Sequence, residues 1–367
     1  MNRLIIIGNG FDIAHGVKSK YEDFLLWYLM SKVRTLDKDT PDVDRLCTIK
    51  VKEKYENSYY VPTLPEFKGV ENYIDFIKSF EDSGYHVITH SGFFQSIMEQ
   101  ERWVDIENIY YSYLKNSMVP GKRTLNNRPF PSIEQLNSDL DFLRNKFIEY
   151  LKAECDDFKC DLSESPYLKL FKEGLSFKLN CDPDSIKTFK TKLKGESKTL
   201  LLNFNYTNLI KKYEETNSVT GDSFGTIQIH GSIDYPESIV FGFGDEIDEA
   251  YQEIERLNKN KFFEHIKSFR YLQDGNYQKL MAFVANSPFE VVVLGHSLGL
   301  SDRTMLSQIF ENDNLKRVHL YYHEDQKDFT EKTYEISRHF KSKGRMREII
   351  VPFTESEPMQ QVKMNEM

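Results

Sequence analysis

The sequence predicts an α/β protein in which a doubly wound, Rossmann-like and mostly parallel sheet is interrupted by a large helical insertion. Three observations predict this fold. Short β-branched apolar runs occur at the start of the chain and again in its second half, helical patterns lie between them, and glycine or polar residues directly follow several runs. At 367 residues, the chain has room for about two domains, or for one domain with an insertion.

The first strand is predicted over Leu4–Ile7, a run of apolar residues that ends at Gly8. Such a run is typical of a strand that is buried on both faces of a parallel sheet. Helical apolar spacing follows from Tyr21 to Met30. Residues 1–30 are therefore assigned to a Rossmann-like nucleotide-binding core.

Residues 31–197 differ in character from this core, because they are rich in charged and aromatic residues and poor in β-branched runs. Apolar residues recur at helical spacing in three segments of this region: Ile74–Phe80, Ile106–Leu114 and Leu140–Leu151. A loop is predicted at residues 126–132. The region is therefore predicted to be a mostly helical insertion.

The core is predicted to resume at residues 198–353, where strand-like and helical segments alternate. The expected strands are Thr199–Phe204, Thr226–Ile229, Ser238–Phe241, Val291–Leu294, Val318–Tyr322 and Ile349–Val351. The expected helices include Ile247–Tyr271, Arg303–Phe310 and Glu331–Phe340. Residues 354–367 are expected to form a loose polar tail.

Charge and cysteine content exclude several classes of protein. Lys and Arg number 48 and Asp and Glu number 57, which gives a net charge of −9 and argues against a nucleic-acid partner bound by charge alone. Four scattered cysteines suit neither a disulfide scaffold nor a zinc site, so no metal and a reducing cytoplasmic location are expected. No apolar run approaches the roughly 20 residues that span a bilayer, so no membrane partner is expected.

The first candidate site is Gly8-Asn9-Gly10-Phe11-Asp12, directly after the first strand. Glycines allow a sharp turn and close backbone approach, and a helix that begins there directs N–H groups towards a phosphate. The dehydrogenase fingerprint G-x-G-x-x-G is incomplete, because Ile13 occupies the third glycine position, and this disfavours a standard nicotinamide dehydrogenase. The alternatives are a tight turn without a ligand, and Asp12 as a helix cap.

Polar residues also follow the predicted strands of the second half. Asn205 and Tyr206 follow one strand, His230 and Gly231 follow the next, and Gly242 lies in a glycine-rich segment after a third. Ligands of parallel sheets bind beyond the carboxyl ends of the strands, so these residues are expected to line a common cleft. Asparagine can bond a ribose hydroxyl or a water, and histidine can exchange a proton near neutral pH. A cap or a purely structural histidine is the alternative.

The segment from Gly295 to Asp302 contains the pattern G-x-S-x-G after a strand. One hypothesis is a nucleophile elbow, which would make Ser297 the attacking group of a serine hydrolase. Its partners would then be Asp313 and either His323 or His339. The other hypothesis is that Gly295, Ser297 and Asp302 form another wall of the nucleotide cleft.

Taken together, these motifs resemble the AbiH family of bacterial proteins, which is associated with abortive infection against phage. The resemblance rests on Leu4–Asp12, Trp103–Glu107 (with Asp105), Asn203–Thr207, His230-Gly231 and Gly295–Asp302. That family is in turn similar to sirtuin-like domains of phage-defence proteins. The resemblance implies an NAD-binding α/β fold and cleavage of the nicotinamide–ribose bond. By position, Asn205 and His230 match the catalytic asparagine and histidine of those sirtuin-like domains. Thr207 stands where their Asn-Tyr-Asp-like segment has an aspartate.

Under this hypothesis Asn205 orients a water or a ribose hydroxyl, His230 acts as the base or as a partner of the ribose, and Asp12 stabilises positive charge on the sugar. The nucleotide would be bound by Gly8, Asn9, Gly10, Phe11, Tyr206, Gly231, Gly242, Gly295, Ser297 and Asp302. The zinc-binding cysteines of sirtuin deacetylases are missing, which argues against deacetylase activity. The partners expected are NAD or a related nucleotide and, in addition, a second copy of the chain or a defence partner protein. A non-catalytic nucleotide sensor of the same fold is the first alternative, and the Ser297 hydrolase is the second.

Overall fold

The computed structural model describes residues 1–37, 40–52, 73–99, 106–118, 124–125, 128–158, 162–173, 197–215 and 224–362. The strands are β1 (Asn2–Ile7), β2 (Asp42–Val43), β3 (Cys47–Val51), β4 (Tyr85–Thr89), β5 (Thr124–Leu125), β6 (Arg128–Pro129), β7 (Thr199–Asn203), β8 (Phe224–Gln228), β9 (Phe289–Leu294) and β10 (Leu315–Leu320). The α-helices are Asn9–Ala14, Tyr21–Thr35, Tyr73–Asp82, Gly92–Met98, Ile106–Ser117, Ile133–Asp157, Pro166–Glu173, Leu209–Glu215, Glu249–Arg256, Lys267–Arg270, Asn276–Asn286, Arg303–Phe310, Gln326–Ser337 and Lys343–Ile349.

The central sheet has five strands in the order β10-β9-β1-β7-β8. Every neighbouring pair in it is parallel. The chain moves outwards from β1 through β7 to β8, returns to the other side of β1 as β9, and continues outwards to β10. The strand order therefore reverses between β1 and β9, which is the position where open parallel sheets bind their ligands.

Both faces of this sheet are covered by helices, which explains the unbroken apolar runs of the central strands. In β1, Leu4 and Ile6 pack into one hydrophobic cluster and Ile5 and Ile7 into another. The first cluster includes side chains from helices Asn276–Asn286, Arg303–Phe310 and Gln326–Ser337. The second includes side chains from helices Asn9–Ala14, Pro166–Glu173 and Leu209–Glu215. A strand that is buried on both sides has no polar face to alternate with.

The insertion has its own hydrophobic core, and residues 233–266 share it. Tyr111 of helix Ile106–Ser117 stacks on Phe243 with ring centroids 3.8 Å apart and an interplanar angle of 8°. Phe241, Tyr251 and Phe262 belong to the same cluster. Apart from Val240, which packs into a cluster of the central sheet, the buried apolar residues between Ile233 and Ile266 pack against the insertion, and this segment joins the two parts of the molecule.

Several predicted elements differ from the structure. The described part of the insertion contains predicted helices, but also an antiparallel sheet in the order β2-β3-β4 that the sequence patterns did not predict. The strand predicted over Ser238–Phe241 is wrong: a 3₁₀ turn at Pro236–Ser238 precedes irregular backbone. The predicted strand Ile349–Val351 is reduced to a single bridge between Ile350 and Val318.

The helix predicted over Ile247–Tyr271 is interrupted. Its first part ends at Arg256, and Asn258 then adopts φ 51°, a left-handed conformation that cannot continue a helix. A 3₁₀ turn at Asn260–Phe263 and the short helix Lys267–Arg270 follow. After this break, Lys267 lies within ion-pair distance of Glu107 and Asp302. Residues 126–127 of the predicted loop lie outside the described residues.

Candidate functional site

The loops after β1 and β9 pack directly against each other at the carboxyl edge of the sheet. The N–H of Gly10 donates to the carbonyl oxygen of Gly295 at 2.8 Å. Gly295 has φ +69°, and a Cβ there would lie 2.2 Å from the nitrogen of Phe11. A Cβ at Gly8 would lie 2.4 Å from Cα of His296. Glycine is therefore required at these positions by the contact between the two loops.

Most backbone N–H groups of the first loop already have acceptors inside the protein. Gly8 donates to the carbonyl of Leu294 at 3.0 Å, and Phe11 donates to the carbonyl of Gly8 at 2.8 Å. The side chain of Asn9 accepts a hydrogen bond from the hydroxyl of Ser19. The expected phosphate-binding loop is thus held in place by hydrogen bonds within the protein.

A first polar cluster forms around Asp12 and is called here the Asp12 cluster (Asp12, Asn205 and Thr207). Asn205 Nδ2 donates to Asp12 Oδ1 at 2.9 Å and to the carbonyl of Gly8 at 3.1 Å. Thr207 Oγ1 donates to Asp12 Oδ2 at 2.7 Å. Each oxygen of the buried Asp12 side chain therefore accepts a hydrogen bond, one from Asn205 and the other from Thr207.

Burial dominates the electrostatics of Asp12. It raises the pKa of Asp12 to about 7, while the hydrogen bonds from Thr207 and Asn205 act in the opposite direction. A carboxyl group with such a pKa exchanges its proton near neutral pH, as general acids and bases do. Asn205 is itself held in place by an Asx turn, because its N–H donates to Asn203 Oδ1 at 3.1 Å.

A second polar cluster lies at the same edge and is called the Asp302 cluster (Asp302, Lys267, Glu107, His230 and His296). Lys267 Nζ lies 2.8 Å from Glu107 Oε2 and 2.9 Å from Asp302 Oδ1. His230 Nε2 lies 3.2 Å from the same Asp302 oxygen, and His296 Nε2 lies 3.6 Å from Asp302 Oδ2. All five side chains are buried.

The charges of the Asp302 cluster follow from these distances. Burial alone would lower the pKa of Lys267, but Asp302 and Glu107 raise it above its usual range. Burial would raise the pKa of Asp302, but Lys267 and His230 hold it well below its usual range. Burial lowers the pKa of His296 to about 3. At neutral pH, one ammonium group therefore faces two carboxylates.

His230 is neutral for two reasons. Burial lowers its pKa first and the charge of Lys267 lowers it further, while Asp302 opposes both. Its ring is also enclosed by aromatic groups: Nε2 lies 3.2 Å from the hydroxyl oxygen of Tyr271, and the ring of Phe204 lies 5.0 Å away, centroid to centroid. A neutral histidine beside a carboxylate can accept a proton.

The two clusters are neighbours, and each gathers residues that are distant in sequence. The ring of Phe204, next to Asn205, lies edge-on to His230 and 4.3 Å from the ring of His296. Gly8, whose carbonyl accepts from Asn205, packs on the backbone of His296. The strand ends therefore bring Asn205 and His230 to one edge of the sheet, on either side of Phe204.

The remaining candidate residues line the region between the sheet and the insertion. Tyr206 donates from its hydroxyl to the carbonyl of Val240 at 3.2 Å, and its ring lies 6.1 Å from that of His230. Gly231 has φ +80° and forms the turn that follows His230. Gly242 has φ +155°, and its N–H donates to Glu107 Oε1 at 3.0 Å.

Sequence reasoning missed Lys267, a single lysine in a segment predicted to be helical, for which the sequence holds no local signal. The sequence indicated Glu107 only as the end of the motif Trp103–Glu107, whereas in the structure its side chain is buried and paired with Lys267. Trp103 and Asp105 of the same motif lie outside the described residues.

The side chain of Ser297 is exposed, whereas the side chains of the two clusters are buried. Its proposed partner His339 is buried and hydrogen-bonds the carbonyl of Leu298 at 2.8 Å, and His323 is exposed beside Glu324. Among the described residues, no histidine is hydrogen-bonded to Ser297. A serine nucleophile needs such a base within reach, so this geometry weighs against the hydrolase hypothesis.

The described residues contain no group of three or more His, Cys, Asp and Glu side chains arranged to hold a metal ion. None of their helices combines the length and the apolar character needed to cross a membrane.

A model of the protein family described as "Bacteriophage abortive infection AbiH" matches residues 4–324. The match begins at β1, extends beyond β10 and includes both polar clusters. No curated protein matches the chain significantly.

Proposed function

Because the chain belongs to the bacteriophage abortive infection AbiH family, we propose that it is a phage-defence effector that binds NAD and hydrolyses the nicotinamide–ribose bond. The fold proposed for it is a doubly wound, sirtuin-like Rossmann core with the insertion packed over its carboxyl edge. The proposed location is the cytoplasm, where NAD and phage components are both present.

One observation carries this proposal more than any other. Asp12, Asn205 and His230 come from three different strand ends, and all three lie at the carboxyl edge of a parallel sheet, near the point where the strand order reverses. Dinucleotides bind at this position in open parallel sheets. The chemistry of the three side chains also suits the cleavage of an N-glycosidic bond.

Each of these side chains has a distinct role in the proposed reaction. Departure of nicotinamide leaves positive charge on the ribose, as in glycoside hydrolysis. The ionised form of Asp12 stabilises that charge, and with a pKa of about 7 this form is substantially populated at neutral pH. Asn205 orients the attacking water, and neutral His230 accepts its proton.

The burial of the three proposed catalytic side chains suits an effector that is inactive until it is triggered. Asp12 is 1% exposed, His230 4% and Asn205 7%. We therefore expect NAD binding to require separation of the insertion from the sheet edge. An enzyme that destroys NAD in uninfected cells would harm its host, so a closed resting state suits the proposed role.

The direct test measures NAD in cells with and without phage infection, for the wild type, Asn205→Ala and His230→Ala. NAD loss upon infection in the wild type, and none in either variant, is the expected result. Equal NAD loss in all three strains would refute the assignment of these residues. No NAD loss in infected wild-type cells would refute NAD hydrolysis as the function.

A non-catalytic nucleotide sensor is the second candidate, and it is favoured by the hydrogen bonds that Asn205 and Thr207 already donate to both carboxyl oxygens of Asp12, because they engage two of the three proposed catalytic side chains. Calorimetry with NAD and a nicotinamide-release assay on the purified protein separate the two candidates. Binding without nicotinamide release, even in the presence of phage lysate, would support the sensor. Release that depends on Asn205 would support the enzyme.

A further inference from the structure

The Asp302 cluster contains a charge arrangement that the proposed reaction does not by itself require. Lys267 is 1% exposed, and its ammonium group lies between Glu107 and Asp302. A buried ammonium group is tolerated only where its pairing is nearly complete. Here the two carboxylates come from separate parts of the chain, because Glu107 belongs to the insertion and Asp302 follows β9.

Asp302 Oδ1 is shared by two nitrogen groups. Lys267 Nζ lies 2.9 Å from this oxygen and His230 Nε2 lies 3.2 Å from it. A carboxylate beside an imidazole favours the protonated ring, because the opposite charges attract each other at this distance. The ammonium group at the same oxygen supplies that positive charge instead.

We infer that Lys267 is a positioning residue of the site: by neutralising Asp302, it keeps the ring of His230 uncharged and therefore able to accept a proton. The role of His230 as proton acceptor rests on the proposed function. The charge state of its ring does not, because it can be measured in the ligand-free protein.

In the described part of the chain, the other titratable groups around His230 carry no positive charge that could act in place of Lys267. The titratable groups that face its ring or share its charge network are Asp302, Lys267, Glu107, His296, Tyr206 and Tyr271. Burial raises the pKa of both tyrosines and lowers that of His296, so these three are neutral at physiological pH. Lys267 is thus the one cation of this set that opposes protonation of His230.

Glu107 completes the arrangement from the insertion. One of its oxygens accepts from Lys267 and the other accepts from the N–H of Gly242 at 3.0 Å. The ammonium group is thereby held at Asp302 by a side chain of helix Ile106–Ser117. Movement of this helix would alter the charge next to His230, so the state of the insertion and the state of the base are linked.

The experiment is an NMR titration of the ligand-free protein with isotope-labelled histidine rings. The chain has nine histidines, and His230→Gln identifies the signal of interest. In Lys267→Met we expect the titration midpoint of His230 to rise by at least about one pH unit, which corresponds to a roughly tenfold increase in proton affinity. In Asp302→Asn we expect no rise, because the carboxylate that attracts the proton is gone. Lys267→Arg keeps the charge and should restore the wild-type titration.

A matched control is available within the insertion. Lys32 is also a buried lysine between two carboxylates, those of Asp42 and Asp44. Lys32→Met removes a similar ion pair without touching His230, so its His230 midpoint should equal that of the wild type. If Lys267→Met does not fold, Glu107→Gln/Lys267→Met replaces it, because this double variant keeps the net charge of the cluster and still removes the cation.

The outcomes are distinguishable. An unchanged or lowered His230 midpoint without Lys267, or the same rise in Lys32→Met, overturns the inference. A selective rise supports it even if the wild type releases no nicotinamide, in which case only the proposed function fails. If the wild type is active, the acid limb of its pH–rate profile should move to higher pH in Lys267→Met.

Discussion

Asn205 Nδ2 donates a hydrogen bond to Asp12 Oδ1 at 2.9 Å, although the two residues are 193 positions apart in the sequence. This bond joins the loop after β7 to the helix after β1. Thr207 occupies the other oxygen of the same carboxyl group. The structure thus brings a candidate water-orienting amide and a candidate charge-stabilising carboxyl group into direct contact in a buried site.

Replacement of Asn205 by alanine should remove NAD turnover and moderately destabilise the fold. The loss of one donor leaves Asp12 Oδ1 buried without that hydrogen bond, which costs about 1–3 kcal/mol. Nicotinamide release and urea denaturation of the purified protein measure the two effects. Asn208→Ala, on the same loop, is the control and should retain turnover. Full activity in Asn205→Ala would remove this residue from the mechanism.

The pKa of Asp12 predicts a specific pH dependence of stability. Because the folded-state pKa of about 7 lies above the ordinary value of 3.8, the folded protein binds this proton more tightly than the unfolded chain does. Its contribution is therefore complete below about pH 4 and is lost as the pH rises towards 7, by at most about 4 kcal/mol.

Asp12→Asn removes this titration, so its free energy of unfolding should fall less steeply than that of the wild type between pH 4 and 7. Denaturation at a series of pH values measures the two slopes, and the comparison of slopes is independent of the overall stability of the variant. Identical slopes would show that Asp12 has an ordinary pKa in the folded protein.

Gly295→Ala should be strongly destabilising. A non-glycine residue at φ +69° costs about 1–3 kcal/mol, and the new Cβ would in addition meet the backbone of Phe11 at 2.2 Å. Gly275→Ala is the matched control, because a Cβ at Gly275 has no atom within 4 Å. Chemical denaturation should show a large loss for the first variant and almost none for the second. Equal stabilities would mean that the two loops do not pack as described.

Ser297→Ala should retain NAD hydrolysis at saturating NAD, because Ser297 is expected to contribute to nucleotide binding and not to the chemical step. The side chain is exposed, and none of the described histidines is hydrogen-bonded to it, so the hydroxyl group has no base to activate it. A fluorophosphonate probe should accordingly fail to label the wild-type protein. Labelling that disappears in Ser297→Ala would restore the serine hydrolase hypothesis.

The local patterns of the sequence determined most of the central sheet. Apolar runs such as Leu4–Ile7 and Val291–Leu294 do form buried parallel strands, and helix Arg303–Phe310 begins and ends as predicted. These elements could be predicted because burial imposes a pattern of apolar residues on a strand or helix, and a short window of sequence shows that pattern. Several candidate residues were found by the same reasoning, since they directly follow such strands.

Only the tertiary structure determined the backbone conformation of some apolar segments and the partners of the buried charged side chains. The segment Ser238–Phe241 does not form a strand: Ser238 closes a 3₁₀ turn, and Val240 and Phe241 then pack into two different hydrophobic clusters, that of the sheet and that of the insertion. Lys267 contacts Glu107 and Asp302, which are 160 and 35 positions away in the sequence. Hydrophobic periodicity is a local property of the chain, whereas the partner of a buried charge depends on which distant segments the fold brings within about 3 Å, and no short stretch of sequence contains that information.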